Sequence, residues 1–143
     1  MVKEEKRTRK EKLVGMLIMF LLMTGIAGCT LVPEEQERKE AAFVIVTEAY
    51  IPERLLELIE LKKEQVMKLT YVDEGSRYIV IGYGKQESGG YSIAVRDFYM
   101  TQNALYVDTC LMGPDKKPDK EGGVSYPYLV LKTTQLGLPV VFQ

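Results

Sequence analysis

Few side chains in this chain of 143 residues are suited to chemistry at neutral pH. The sequence has no histidine, so a serine or cysteine nucleophile has no imidazole base and zinc has no imidazole ligand. The acidic residues that could form a catalytic pair are Glu87, Asp97, Asp115, Asp119 and Glu121. Most of these five lie in loops with lysines nearby, which is typical of solvated surface charge. We therefore predict no enzyme activity, no catalytic residues and no metal site.

Cys29 stands at the end of a segment with an unusual distribution of charge. Residues 3–12 contain six Lys or Arg and three Glu, and no charged residue follows from Leu13 to Gly28. Sixteen helical residues would span about 24 Å, which is short of a hydrocarbon core of about 30 Å. The layout therefore predicts a signal peptide over residues 1–28 rather than a membrane-spanning helix.

The residues before this cysteine, Ile26, Ala27 and Gly28, resemble the lipobox of bacterial lipoproteins. The resemblance implies that Cys29 becomes the new N-terminus and carries a covalent diacylglyceryl lipid, with palmitate as a typical acyl chain and no other cofactor. Two acyl chains are enough for stable anchoring. We therefore expect a lipid anchor in the cell membrane, on its extracytoplasmic face.

Charge and composition divide the rest of the chain into two parts. Residues 29–41 hold the lipidated cysteine and a polar tether, and residues 42–143 form one β-rich domain. The net charge of −1 provides no basic field for a phosphate backbone, so we predict no nucleic-acid partner. With lipid on Cys29, Cys110 has no disulfide partner, and its apolar surroundings in the sequence predict a small buried side chain.

The hydrophobic pattern predicts a mainly β fold: a β-sandwich-like antiparallel sheet with one N-terminal packed helix. Pro52 to Glu64 shows helical periodicity with an apolar stripe, after a strand from Phe43 to Ala49. Turn residues then separate short β-branched and aromatic runs, for a total of six or seven strands. These later strands are predicted at Val66 to Val72, Arg77 to Gly84, Gly90 to Met100, Ala104 to Met112, Tyr126 to Thr133 and Pro139 to Phe142.

A loop with paired glycines is the main candidate binding site. Gly89 and Gly90 allow a sharp turn, so Ser88, Tyr91 and Ser92 can form a docking loop in which the tyrosine offers a large rigid contact area. A hairpin turn without a ligand is the alternative. The polar loop from Gly113 to Gly123 and the motif Tyr126, Pro127 and Tyr128 are its predicted neighbours.

The order of these motifs, from Arg77 to Phe142, resembles the C-terminal domain of the PrcB family of lipoproteins, which are associated with a secreted protease complex. An apolar strand ending in glycine precedes Ser88-Gly89-Gly90-Tyr91-Ser92, and a polar loop precedes Tyr126-Pro127-Tyr128. The resemblance implies a non-enzymatic protein-binding module that supports assembly or stability of a surface protease complex. Its partner would be a secreted or membrane-associated protease, or another protein.

A looser similarity suggests a protease inhibitor as the alternative. Chagasin-like inhibitors of cysteine proteases present a Thr-Gly-Tyr loop, which Ser88-Gly89-Gly90-Tyr91 matches in part. The inhibitors also use an Arg-Pro-Trp element, and this chain has no tryptophan.

Overall fold

The structure, a computed structural model, describes residues 9–16, 37–115 and 123–143. Residues 9–16 are helical and belong to a separate N-terminal unit. The compact unit that begins at Gln36 contains a 3-10 turn at Glu48–Tyr50, one α-helix and eight strands among its described residues. The helix is α1 (Glu53–Lys62), and the strands are β1 (Lys39–Glu40), β2 (Val44–Ile45), β3 (Val66–Asp73), β4 (Ser76–Tyr83), β5 (Ser92–Met100), β6 (Leu105–Met112), β7 (Tyr128–Thr134) and β8 (Val140–Phe142).

The strands form two four-stranded sheets. Sheet A has the order β1-β5-β6-β8, and sheet B has the order β2-β7-β4-β3. All neighbours are antiparallel except β6 and β8, which run parallel. The prediction of a mainly β fold with antiparallel sheets is confirmed.

Strand β4 is buried on both of its faces. Ile79 and Ile81 pack into the core between the two sheets, whereas Tyr78 and Val80 pack into a second core beneath α1. Side chains alternate between the faces of a strand, so a nearly continuous apolar run is what a central strand requires. The described part of this unit therefore has three layers: sheet A, sheet B and the helix.

The core between the sheets is filled mainly from their central strands. Phe98, Leu105 and Val107 of sheet A meet Ile79 and Leu131 of sheet B, and each of these side chains is at least 95% buried. The Phe43 and Phe98 rings lie 4.7 Å apart in a tilted arrangement, which connects the chain before β2 to β5. These contacts align β5 and β6 over β7 and β4.

Helix α1 covers the outer face of sheet B, as its apolar stripe predicts. Leu55 and Ile59 are fully buried against Met67, Tyr78 and Val80. Pro52 is the N-cap rather than the first helical residue, and the helix ends at Lys62, two residues before the predicted end. Such one- or two-residue differences are ordinary at helix ends.

Local turn chemistry forms both predicted hairpins. Glu74 and Gly75 have φ values of 45° and 73°, as expected for the two central residues of a type I′ turn between β3 and β4. In the second hairpin the Thr101 amide donates to the Ala104 carbonyl oxygen at 2.9 Å. The hydroxyl of Thr101 also accepts from the Asn103 and Ala104 amides.

The N-terminal part of the domain differs most from the prediction. Only Val44–Ile45 of the expected strand from Phe43 to Ala49 is extended, because Glu48–Tyr50 turns into a 3-10 helix. Lys39 and Glu40 pair with Met100 and Tyr99, an antiparallel contact that the polar sequence did not predict.

Cys110 is a second difference from the prediction. It is partly exposed rather than buried, because it lies opposite Ala94 on the outer face of sheet A, away from sheet B.

We expect the side chains of α1 that are buried against sheet B to contribute more to the free energy of unfolding than its exposed side chains do. The substitution Ile59→Ala should lower the free energy of unfolding by about 2–5 kcal/mol, because it leaves a cavity beside Leu55 and Val80. The matched control is Leu61→Ala in the same helix, where the side chain is 80% exposed and the change should stay within about 0.5 kcal/mol. Urea unfolding followed by circular dichroism measures both, and equal losses would contradict this packing.

Candidate functional site

The chain changes direction sharply where β4 ends. Gly84 has φ of 72°, and a Cβ there would lie 3.1 Å from the carbonyl carbon of Gln65 and the amide nitrogen of Val66. The next amide, of Lys85, donates to the Glu64 carbonyl oxygen at 3.1 Å. Glycine is therefore needed for both the backbone conformation and the close approach. This turn places the predicted docking loop beside the segment that follows α1.

A two-residue bridge joins the two segments that the sequence predicted to be neighbours. Gln86 and Ser125 exchange backbone hydrogen bonds of 2.8 and 3.0 Å. The Ser125 hydroxyl donates to the Ser88 carbonyl oxygen at 2.6 Å, and the Tyr83 amide donates to the Pro127 carbonyl oxygen at 3.1 Å. The docking loop and the Tyr126–Tyr128 motif thus form one surface.

Within the docking loop, the residues differ in what they offer to solvent. Ser88 is only 5% exposed and its hydroxyl has no hydrogen-bond partner among the described residues, so it lies inside the loop rather than on its surface. Gly90 and Ser92 are exposed, whereas Gly89 and Tyr91 are partly exposed. Of the predicted docking residues, Tyr91 therefore presents the largest accessible side chain.

The Tyr91 side chain is supported by the segment after β6. Its ring lies near Gly113, where an added Cβ would be 3.8 Å from Tyr91 Cε1. Gly90 has φ of 83°, and a Cβ at this position would lie 2.9 Å from Pro114 Cβ. The docking loop and the start of the Gly113 loop therefore pack directly against each other, as the sequence predicted.

The two tyrosines of the second motif differ in their electrostatic surroundings. Lys63 Nζ lies 5.7 Å from the centre of the Tyr126 ring, within the range of a cation–π contact. Burial, followed by the charges of Glu48 and Glu60, raises the pKa of Tyr128. A tyrosine hydroxyl is protonated at neutral pH even without this shift, so the Tyr128 hydroxyl can serve as a hydrogen-bond donor.

Three apolar side chains near these loops were not identified from the sequence. Met112 ends β6 opposite Ser92, Val124 precedes the bridge residue Ser125, and Val66 pairs with Tyr83. They are 47%, 47% and 70% exposed. The sequence gave no sign that these side chains would be exposed, since each lies at or beside the end of an ordinary strand-like run. We call this surface, with Tyr91 and Tyr126–Tyr128, the loop end.

Other predicted site residues lie outside the described residues. These are Cys29 with its lipobox residues Ile26, Ala27 and Gly28, and positions 116–122 of the loop from Gly113 to Gly123. Among the residues that the structure does describe, no helix has the length and apolar character needed to cross a membrane. The same residues contain no cluster of three or more acidic or cysteine side chains able to hold a metal ion.

The fold and loop end define a small β-sandwich domain with one helix packed on its outer face. Residues 77–134 match the family model described as PrcB C-terminal, from the second residue of β4 to the last residue of β7. The match supports the resemblance to the PrcB C-terminal domain for this segment, which covers less than half of the chain. Comparisons with curated proteins and with solved structures found no match.

We predict that the two glycines of the docking loop differ in their tolerance of a side chain. Gly90→Ala should lower the free energy of unfolding by about 1–2 kcal/mol, because alanine at positive φ is strained, and its methyl group meets Pro114. Gly89→Ala is the matched control, since no atom lies within 4 Å of its added Cβ. Urea unfolding of both variants makes the comparison, and an equal effect would show that the loop does not pack against Pro114.

Proposed function

We propose that this protein is a non-enzymatic, lipid-anchored binding module that supports assembly or stability of a protease complex at the cell surface. The PrcB C-terminal match supports association with a protease complex. The loop end is the proposed contact surface. The lipid on Cys29 is the proposed anchor, and it holds the domain on the extracytoplasmic face of the membrane.

The observation that carries the binding role is the bridge between Gln86 and Ser125. It holds two loops that are distant in sequence against each other before any partner is present. A surface that is ordered in advance loses little conformational entropy when it binds, so more of its contact energy appears as affinity. Tyr91 and Tyr126 supply aromatic area, which is enriched at interface centres.

The binding role predicts a loss of partner capture when the Tyr91 ring is removed. In cells that make this chain, the full-length tagged protein is cross-linked at the surface, purified in mild detergent and tested for bound protease. Tyr91→Ala should reduce the recovered protease by about tenfold, as expected for the loss of an aromatic interface anchor. Tyr50→Ala is the control, since that ring is 79% exposed at the end of the 3-10 turn before α1. Unchanged recovery with Tyr91→Ala would remove the docking loop from the proposal.

The activity of the captured protease separates support from inhibition. A bound protease that still cleaves a fluorogenic substrate at its free rate supports the assembly role. Loss of cleavage on addition of the full-length protein would instead support the chagasin-like alternative. The two outcomes differ in one measured rate.

The anchor predicts that membrane association depends on one of the two cysteines. Cys29→Ser should move the chain from the membrane fraction to the soluble fraction and abolish labelling by a palmitate analogue, because no second lipidation site is proposed. Cys110→Ser is the matched control and should stay labelled and membrane-bound, since Cys110 lies on sheet A. Continued labelling of the Cys29→Ser variant would contradict the anchor.

A further inference from the structure

Strand β3 is the long edge strand of sheet B. It runs for eight residues, from Val66 to Asp73, and stands last in the order β2-β7-β4-β3, so only β4 pairs with it among the described residues. Every residue from the start of α1 to the end of β4 is described. Edge strands with unpaired backbone groups are templates for pairing with another strand.

Alternate residues of β3 direct their backbone groups away from β4. Asp73 and Ser76 close the two-residue turn as a hydrogen-bonded pair. Such pairs recur at every second residue of an antiparallel ladder, so the odd-numbered residues of β3 bond to β4. The even-numbered residues direct N–H and C=O outward and carry exposed side chains; they are Val66, Lys68, Thr70 and Val72.

The sequence of β3 is complementary to itself in one antiparallel register. When Leu69 lies opposite Leu69 of a second copy, Val66 meets Val72 and Lys68 meets Thr70, with no charge opposite a like charge. The outward-directed residues of one copy then face those of the other, as the hydrogen bonds require. Val66 and Val72 are 70% and 50% exposed in the single chain, and this pairing covers both.

The neighbouring registers are less favourable. A shift of two residues in one direction places Lys68 opposite Lys68 of the second copy, and like charges directly opposite each other are destabilising. The same shift in the other direction places Met67 opposite Asp73 and Val66 opposite Glu74. A shift of one residue sets the outward groups of one copy against the inward groups of the other. The composition of β3 therefore selects the register centred on Leu69.

The helix side of β3 offers further contacts in the same register. A groove of about 230 Å³ lies where α1 ends and β3 begins, and it is lined by Lys62 and residues 65–69. Tyr71 of a second copy lies opposite Met67, at this groove. Leu58 is one turn before Lys62 on the same flank of α1 and is 39% exposed. A second copy therefore meets apolar groups on both faces of β3.

We propose that β3 binds β3 of a second copy of this chain, antiparallel and with Leu69 at the two-fold axis, so that two sheets B join into one continuous sheet. A contact that uses the same patch on both copies closes as a dimer. The inference goes beyond the proposed function, since the interface shares only Val66 with the loop end.

Disulfide cross-linking at the two-fold axis tests the register. In a Cys110→Ser background, Leu69→Cys places two thiols in a non-hydrogen-bonded pair with Cα atoms about 4.5 Å apart, which a disulfide can span. Oxidation of the full-length protein in detergent with copper phenanthroline should give a linked dimer on a non-reducing gel. Tyr71→Cys in the same background is the matched control and should not link, since its two thiols lie about 14 Å apart along the strands. The Cys110→Ser parent accounts for any link through Cys29.

The outward backbone groups provide an independent arm of the test. Thr70→Pro removes one outward N–H from each copy and no bond to β4, so it should weaken the dimer at least about tenfold in analytical ultracentrifugation of a concentration series. Thr70→Ala keeps the N–H and should associate as the unmodified protein does. In the unmodified protein, higher concentration should slow hydrogen exchange at the Lys68 and Thr70 amides. The Leu69 and Tyr71 amides, which bond to β4, should change little.

Several results would overturn the proposal. These are a monomer at every concentration, equal linking of Leu69→Cys and Tyr71→Cys, and unchanged association of Thr70→Pro when that variant is folded. Protection of the Lys68 and Thr70 amides that does not depend on concentration would also overturn it, because another segment of the same chain would then cover the edge. A dimer that persists in Tyr91→Ala, whether or not protease is recovered, separates this inference from the proposed function.

Discussion

The structure depends on the burial of β4 from both sides. One face of this strand supports the helix through Tyr78 and Val80, and the other meets sheet A through Ile79 and Ile81. Each layer covers apolar surface that the others would otherwise expose, and burial of apolar area is the main favourable contribution to folding. Since β4 belongs to both cores, the position at which it ends fixes the position of everything that follows, including the turn at Gly84 and the docking loop.

Much of this fold could be predicted because the signals are local. The two hairpins follow from turn residues between β-branched runs, and α1 follows from its apolar stripe after Pro52. The parts that were not predicted depend on pairing between distant segments. Lys39–Glu40 has no apolar pattern and becomes a strand only because the edge of β5 is available, and the parallel pairing of β8 with β6 has no local signature.

The candidate site shows the same division between local and distant information. Paired glycines and aromatic residues drew attention to the docking loop and the Tyr126–Tyr128 segment. Paired glycines allow a sharp turn, and tyrosines offer a large contact area. The contacts that join them, Gln86 with Ser125 and the Ser125 hydroxyl with the Ser88 carbonyl, link residues almost forty positions apart. Nor does sequence reveal that the Ser88 side chain is buried, since an isolated serine beside glycines is usually exposed.

The surfaces of the domain differ in how far their exposed side chains contact or pair with other residues of the domain. On the outer face of sheet A the Tyr99 and Tyr106 rings stack 4.8 Å apart, Arg38 covers Tyr99, and Arg96 pairs with Asp108, so this face has few free groups. Edge strands β1 and β2 are two residues long, which limits pairing with other chains. The loop end differs because Met112, Val124 and Val66 are 47%, 47% and 70% exposed there. Exposed apolar side chains beside two loops that the Gln86–Ser125 bridge joins therefore distinguish the loop end from the outer face of sheet A.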